Sequence, residues 1–356
     1  MNKNEILNNI VNNTSKLISF PTYHGNDDAF KELFDYVKEQ MNGFFIKDII
    51  VNYNNHDNHN LLISNVESND FDIIFSGHVD VVKNEEYKAR IVGNKLYGRG
   101  AIDMKGQVAV MMEILKNAKT SKKMALLLTS DEEIGGFCCE NIAKNLNAQI
   151  VIMPDGGKNF DLIVEEKGLA QLEITATGVS AHGSEPFNGD NAILKLINLY
   201  NDLISIYSLP KSKDDWRLSI TLSKMNGGDA NNKVPDKATM ALDIRYTAND
   251  NINRIINYIR NYSEDITLKI LDVEPVFYLD QELEIVKNFI AKSEKILNKK
   301  LVITKCSAGS DATYFSEKKI PVIIMNPIGD YWHNKNEYAD INSYYTLYRI
   351  FKSLLW

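Results

Sequence analysis

The chain has 356 residues, 44% of them hydrophobic and 24% charged, with a formal charge of −7. That length exceeds a typical single core and predicts two domains, and the acidic balance argues against a nucleic-acid partner, which would want a basic face. Three cysteines, two adjacent and one alone, suit a reducing compartment rather than a disulfide framework; with a polar N-terminus and no apolar run near the roughly 20 residues of a membrane span, the expectation is a cytoplasmic protein with no membrane partner.

Residues 5–19 carry Ile6, Leu7, Ile10, Val11, Leu17 and Ile18 at helical spacing and stop before Pro21. A second helix is predicted over 28–41, with Phe30, Leu33, Phe34, Val37 and Met41 on one face. Asn52–Asn60 (NYNNHDNHN) reads as a polar loop. Strands follow near 60–66, 72–77, 124–130, 149–154 and 321–326, with helices over 104–118, 136–146, 281–298 and 343–355. The alternation predicts an α/β fold: a mainly parallel, doubly wound sheet over 1–167 and 276–356.

The middle of the chain has a different period. Leu172, Ile174 and Ala176 alternate, a helix is predicted over Asn191–Tyr207, and Leu218, Ile220 and Leu222 alternate after it. Met240, Leu242, Ile244 and Tyr246 mark a third strand, NINRIINYIRNY a helix and ITLKILDV a last strand. This β-α-β-β-α-β order is the ferredoxin-like split βαβ plan, expected as a domain over 168–275 inserted into the larger fold.

The residues that carry chemistry lie just past the apolar runs, in SGHVD (Ser76–Asp80), GRGAIDMKG (Gly98–Gly106), SDEEIGG (Ser130–Gly136), MPDGG (Met153–Gly157) and WHNKNEY (Trp332–Tyr338). An open α/β sheet binds ligands at the carboxyl ends of its strands, where distant segments meet. Asp131, Glu132 and Glu133 are consecutive acids behind a strand, and carboxylates crowded together out of water want a cation. His78 offers an imidazole, with Asp80 two residues on to take its other ring nitrogen. Asp103 precedes a helix, so an N-cap and a bridge between two metals compete for its oxygens. Glu132 and Glu133 point in different directions, so one can ligate while the other serves as general base. Asp155 sits in a turn sequence and His333 in a loop; each alone is unremarkable, yet each supplies a donor that a dinuclear site needs.

GHVDVV, LYGRGAIDMKG, TSDEEIGG, GVSAHGSEPFNGDNAI, NNKVPDKATMALDIR, GSDATYF and HNKNEY together resemble the co-catalytic zinc family of acetylornithine deacetylase, succinyl-diaminopimelate desuccinylase, carboxypeptidase G, aminoacylase and the aminotripeptidase, in that family's order and over essentially the whole length. The resemblance implies that His78 and Asp155 bind one metal, Glu133 and His333 the other, and Asp103 bridges them. It implies Glu132 as general acid/base and Asp80 as the carboxylate orienting His78. It further implies that 168–275 is a lid that dimerises, that His182 stabilises an oxyanion in a neighbouring subunit, and that Asn232, Arg245 and the Gly309–Ser310–Asp311 loop hold the substrate. For Arg245 a pairing with a nearby acid is the competing role, and for His182 a structural turn. His24, His56 and His59 match nothing in the family.

The expected activity is hydrolysis of an amide bond in a short peptide or N-acyl amino acid, with two divalent ions, zinc by default and cobalt or manganese able to substitute. The expected assembly is a homodimer acting on a small molecule. A biosynthetic desuccinylase or deacetylase is the alternative within the class, and a catalytically silent metal-binding dimer the alternative outside it. A phosphate-binding role for GRGAIDMKG fails because its glycine spacing fits neither the P-loop nor the dinucleotide fingerprint.

Overall fold

The computed structural model describes residues 2–53, 55–207, 209–212 and 214–356. The chain divides into two compact units: Met1–Val164 with Tyr278–Cys306 and Ser310–Trp356, and Glu165–Phe277 with Ser307–Gly309.

The first unit is built on a six-stranded sheet in the order Phe45–Tyr53, His56–Ser64, Met124–Thr129, Asp70–His78, Asn147–Ile152, Val322–Ile323. The last four strands run parallel. The first two form an antiparallel hairpin in register from Phe45↔Ser64 to Tyr53↔His56. Met124–Thr129 is buried along its whole length, as a parallel strand covered on both faces must be, and this is why MALLLT reads as one apolar run. Helices Lys3–Ile18, Lys105–Lys116 and Ile341–Lys352 pack on one another. Lys105–Lys116 is buried on every side up to Leu115, which explains its lack of a polar stripe.

The hairpin corrects the sequence reading at Asn52–Asn60: Asn52, Tyr53 and His56–Asn60 are strand residues. Their polarity hid them: exposed Asp57 and His59 alternate with Asn58 and Asn60, whose buried side chains bond to neighbouring backbone. Asn60 donates to the Asn58 and Ile49 carbonyls at 3.0 and 3.3 Å, and Asn52 donates to Asp57 at 2.7 Å.

The second unit holds a four-stranded antiparallel sheet in the order Ser219–Gly227, Lys237–Tyr246, Gly168–Thr177, Ile266–Glu274. Strand Lys237–Tyr246 buries every second residue, the period of a sheet with one covered face. Helices Ala192–Ile206 and Ile252–Arg260 supply Leu196, Leu199, Ile255 and Ile259 to a core with Leu172, Ile174, Leu242 and Ile244. Asn191 and Asn251 cap those helices through their side chains.

Candidate metal centre

Three parallel-strand ends and two loops of the first unit bring the predicted donors together. His78 ends strand Asp70–His78, and its ring is 1% exposed. Nδ1 lies 2.9 Å from the Asp80 carbonyl and 3.4 Å from Asp80 Oδ1. That contact turns Nε2 toward Asp103 Oδ1 at 3.3 Å and Asp155 Oδ2 at 3.7 Å. Among the described residues Nε2 has no hydrogen-bond partner although it is buried, and such an orphan signals a missing ligand. Asp80 does double duty, its Oδ2 accepting the Glu133 N–H at 2.9 Å.

Asp103 is no helix cap. The helix begins at Lys105, its cap residue is Met104, and no side chain caps it. The carboxylate is therefore available on both oxygens: Oδ1 faces His78, and Oδ2 lies 3.1 Å from His333 Nε2. Glu132 and Glu133 open a short 3-10 turn after strand Met124–Thr129. Glu133 Oε2 is 3.1 Å from His333 Nε2, and its Oε1 accepts the Val82 N–H at 3.3 Å. His333 has φ +58° and stands 53% exposed; histidine is one of the few non-glycine residues that tolerate this region.

Two donor groups result, His78–Glu132–Asp155 and Asp103–Glu133–His333, each with its ligand atoms within 4.8 Å of one another. Two donors about 2.0–2.2 Å from one ion lie at most about 4.4 Å apart, so a cation fits each group with small adjustment. Imidazole mixed with carboxylate suits zinc, cobalt or manganese.

The electrostatics agree. Burial, with Asp155 beside it, holds the Glu132 carboxyl well above the usual range, and burial pushes Asp155 up to about 7 and Asp131 up to about 6. Asp103 goes the other way: burial opposes its ionisation, but the imidazoles of His333 and His78 beside it hold it well below the carboxylate norm. His333 rises to about 10 through Asp103 and Glu133. Without a cation the cluster redistributes protons to neutralise itself; a divalent ion would do the same work at neutral pH.

Sequence reasoning missed the residues that hold these loops. Glu337 is buried and accepts from Arg99, Gly100 and Ile102. Gln107 donates to the Ile102 carbonyl at 2.5 Å and the Pro154 carbonyl at 3.3 Å, joining the Asp103 turn to the Asp155 loop, and also reaches Asn326 at 3.0 Å. Lys105 Nζ, fully buried and lowered to about 7 by burial, donates to the Phe20 carbonyl at 2.7 Å. A signal was present: Lys105 and Gln107 are polar residues directly before the apolar run Val108–Met112 of a buried helix.

His182, Asn232, Arg245 and Gly309 belong to the second unit, whereas Ser310 begins the last segment of the first. His182 and Asn232 lie on adjacent segments, with Gly183 donating to the Asn232 carbonyl at 2.7 Å and His182 Nδ1 2.7 Å from Ser184 Oγ. Arg245 is engaged by Asp243 at 3.0 and 3.3 Å. His56, which matches nothing in the family, is partly buried with Nε2 3.4 Å from Asp27.

The sequence pattern of peptidase family M20/M25/M40 matches residues 74–356. Curated relatives include a LysW-lysine/LysW-ornithine hydrolase of Saccharolobus solfataricus, 31% identical over 206 residues, which are 57% of this chain and 57% of that protein. Another, from Sulfurisphaera tokodaii, is 27% identical over 267 residues, covering 73% of this chain and 70% of its own. The chain thus matches little more than half the length of the first of these relatives. Among solved structures, aminopeptidase PepT from Bacillus cereus superposes with a TM-score of 0.77 at 16% identity, over 98% of both chains. An M20 family metallo-carboxypeptidase from Sulfolobus solfataricus gives 0.73 at 17% identity, over 100% of this chain and 99% of its own. At those identities the likeness concerns the fold.

Proposed function

This chain belongs to the peptidase family M20/M25/M40, and from that premise we propose that it is a hydrolase of C–N bonds that cleaves an amide bond in a short peptide or N-acyl amino acid at a pair of divalent ions, zinc by default. The observation that carries the reading is Asp103, whose two oxygens face two different imidazoles. His78 and Asp155 would hold one ion, Glu133 and His333 the other, and Asp103 both. When bound, the ions supply Lewis acidity and lower the pKa of a coordinated water to about 7.

The remaining work falls to side chains of this chain. Glu132 takes the proton of the attacking water and returns it to the leaving amine, a task for which its raised proton affinity suits it. Asp80 fixes the His78 tautomer and strengthens it as a donor to metal. His182 would steady the oxyanion. Asn232 and the Gly309–Ser310 loop would bind substrate, as would Arg245, whose guanidinium must loosen from Asp243 before it can clasp a carboxylate. With His78, Asp155 and Asp103 left to hold that ion, Glu132→Ala is expected to lower turnover by about 10²–10⁴-fold while the protein keeps its metal; near-normal turnover would refute the assignment.

The curated relatives favour a second reading of the substrate, release of lysine or ornithine from a LysW conjugate. Deacetylation of acetylornithine or desuccinylation of succinyl-diaminopimelate stands beside it. A panel of di- and tripeptides, N-acyl amino acids and these conjugates, with liberated amine as readout on metal-reconstituted protein, separates them. We further propose a cytoplasmic homodimer joined through the second unit. Support comes from Cys138 and Cys139 as buried free thiols and from exposed Leu194, Ile197, Ile270 and Leu271 in that unit; sedimentation showing only monomer at micromolar concentration would rule out the dimer. Among the described residues no helix is long and apolar enough to cross a membrane.

A further inference from the structure

We infer that Glu337 is a positioning residue: it fastens the loop carrying His333 to the turn carrying Asp103, and so sets the affinity of the Asp103–Glu133–His333 cation position. The inference rests on the dinuclear reading above.

The geometry is specific. The Glu337 carboxylate is fully buried, with Oε2 2.8 Å from Arg99 Nη1 and Oε1 accepting the Gly100 N–H at 2.8 Å and the Ile102 N–H at 3.1 Å. Its own carbonyl accepts the Gly98 N–H at 3.1 Å. All these partners lie in the stretch leading directly into Asp103. On the other side, Glu337 follows His333 through a tight turn, its N–H donating to the Asn334 carbonyl at 3.1 Å. The Tyr338↔Tyr97 pairing extends the same junction into a small sheet.

His333 needs this support. It stands at a left-handed backbone position, half exposed, and its Nε2 meets Asp103 and Glu133, themselves prospective ligands. Four carboxylate and backbone contacts from Glu337 therefore pre-pay the ordering of the loop. The His78–Asp155 position is built differently, from a strand end and from a loop tied down by Gln107. Loss of Glu337 is thus expected to harm one position far more than the other. Residues that orient metal ligands typically change metal affinity by about 10–100-fold when removed.

The test is a cobalt(II) titration of metal-free wild type, E337Q and E337A, followed by the visible absorption of the bound ion. E337Q keeps the shape but loses the charge facing Arg99; E337A loses the clamp entirely. Wild type is expected to take up two equivalents. In both variants the second is expected to bind about 10–100-fold more weakly, with altered band intensity, while the first stays within about threefold of wild type. Should E337A not fold, the same criterion applies to E337Q. Two phases identical to wild type, or both weakened by the same factor, overturn the positioning role. A wild type that takes up no cobalt overturns the dinuclear reading instead, so the two failures are distinguishable.

Discussion

His78 leaves a buried ring nitrogen facing two carboxylates, and of the acids near it Asp155, Asp131 and Glu132 retain protons they would shed in water. Asp155 titrates near about 7 and Asp131 near about 6 because both are buried, whereas unfolded aspartates titrate near about 3.9. Between these values the folded chain binds more protons than the unfolded one, so stability falls as pH rises. Asp103, held below its norm, contributes the opposite slope only as pH drops below about 4. The metal-free protein is therefore expected to melt at a higher temperature at pH 5 than at pH 7. Cobalt-loaded protein, whose cations replace those protons, should lose that decline. Thermal midpoints of both forms across this window check the point, and a metal-free midpoint that climbs with pH contradicts it. At this scale the prospective ligands were legible because each acid or imidazole directly follows a strand-like run or sits in a motif near one. Glu337 and Asn326 were not, since a buried polar residue in a loop leaves no periodic mark, and its partners are distant in sequence.

Elements were legible where burial is regular. FDIIFS and MALLLT announce parallel strands covered on both faces, and Met240, Leu242 and Ile244 announce a sheet with one. The hairpin Phe45–Tyr53 with His56–Ser64 was half hidden, because its tip satisfies asparagine side chains internally and shows no apolar alternation. Helix Ala192–Ile206 offers a direct test of the local account. Asn191 Oδ1 accepts the Ile193 and Leu194 N–H groups at 2.9 and 3.3 Å, meeting two of the donors a helix start leaves open. Asn191→Ala is expected to cost about 0.5–2 kcal/mol in denaturant unfolding without changing metal content. No loss of stability would show that the cap contributes nothing, and a loss of metal would show that the second unit influences the centre directly.

Over the whole molecule, donors from residue 78 to residue 333 converge in one unit although the second unit, Glu165–Phe277, interrupts the sequence between them. Parallel strands make this possible, since every strand of the set delivers its carboxyl end to the same edge of the sheet. Asp103, Glu132, Glu133 and Asp155 crowd that edge, an arrangement costly for an empty protein and favourable for one holding cations. A pair of ions bound at that edge is therefore the property to measure. Elemental analysis of protein purified without chelator, then dialysed against metal-free buffer, should find two equivalents of a divalent transition metal per chain, falling to one or fewer in His333→Ala. Folded wild-type protein with no stoichiometric transition metal would contradict it.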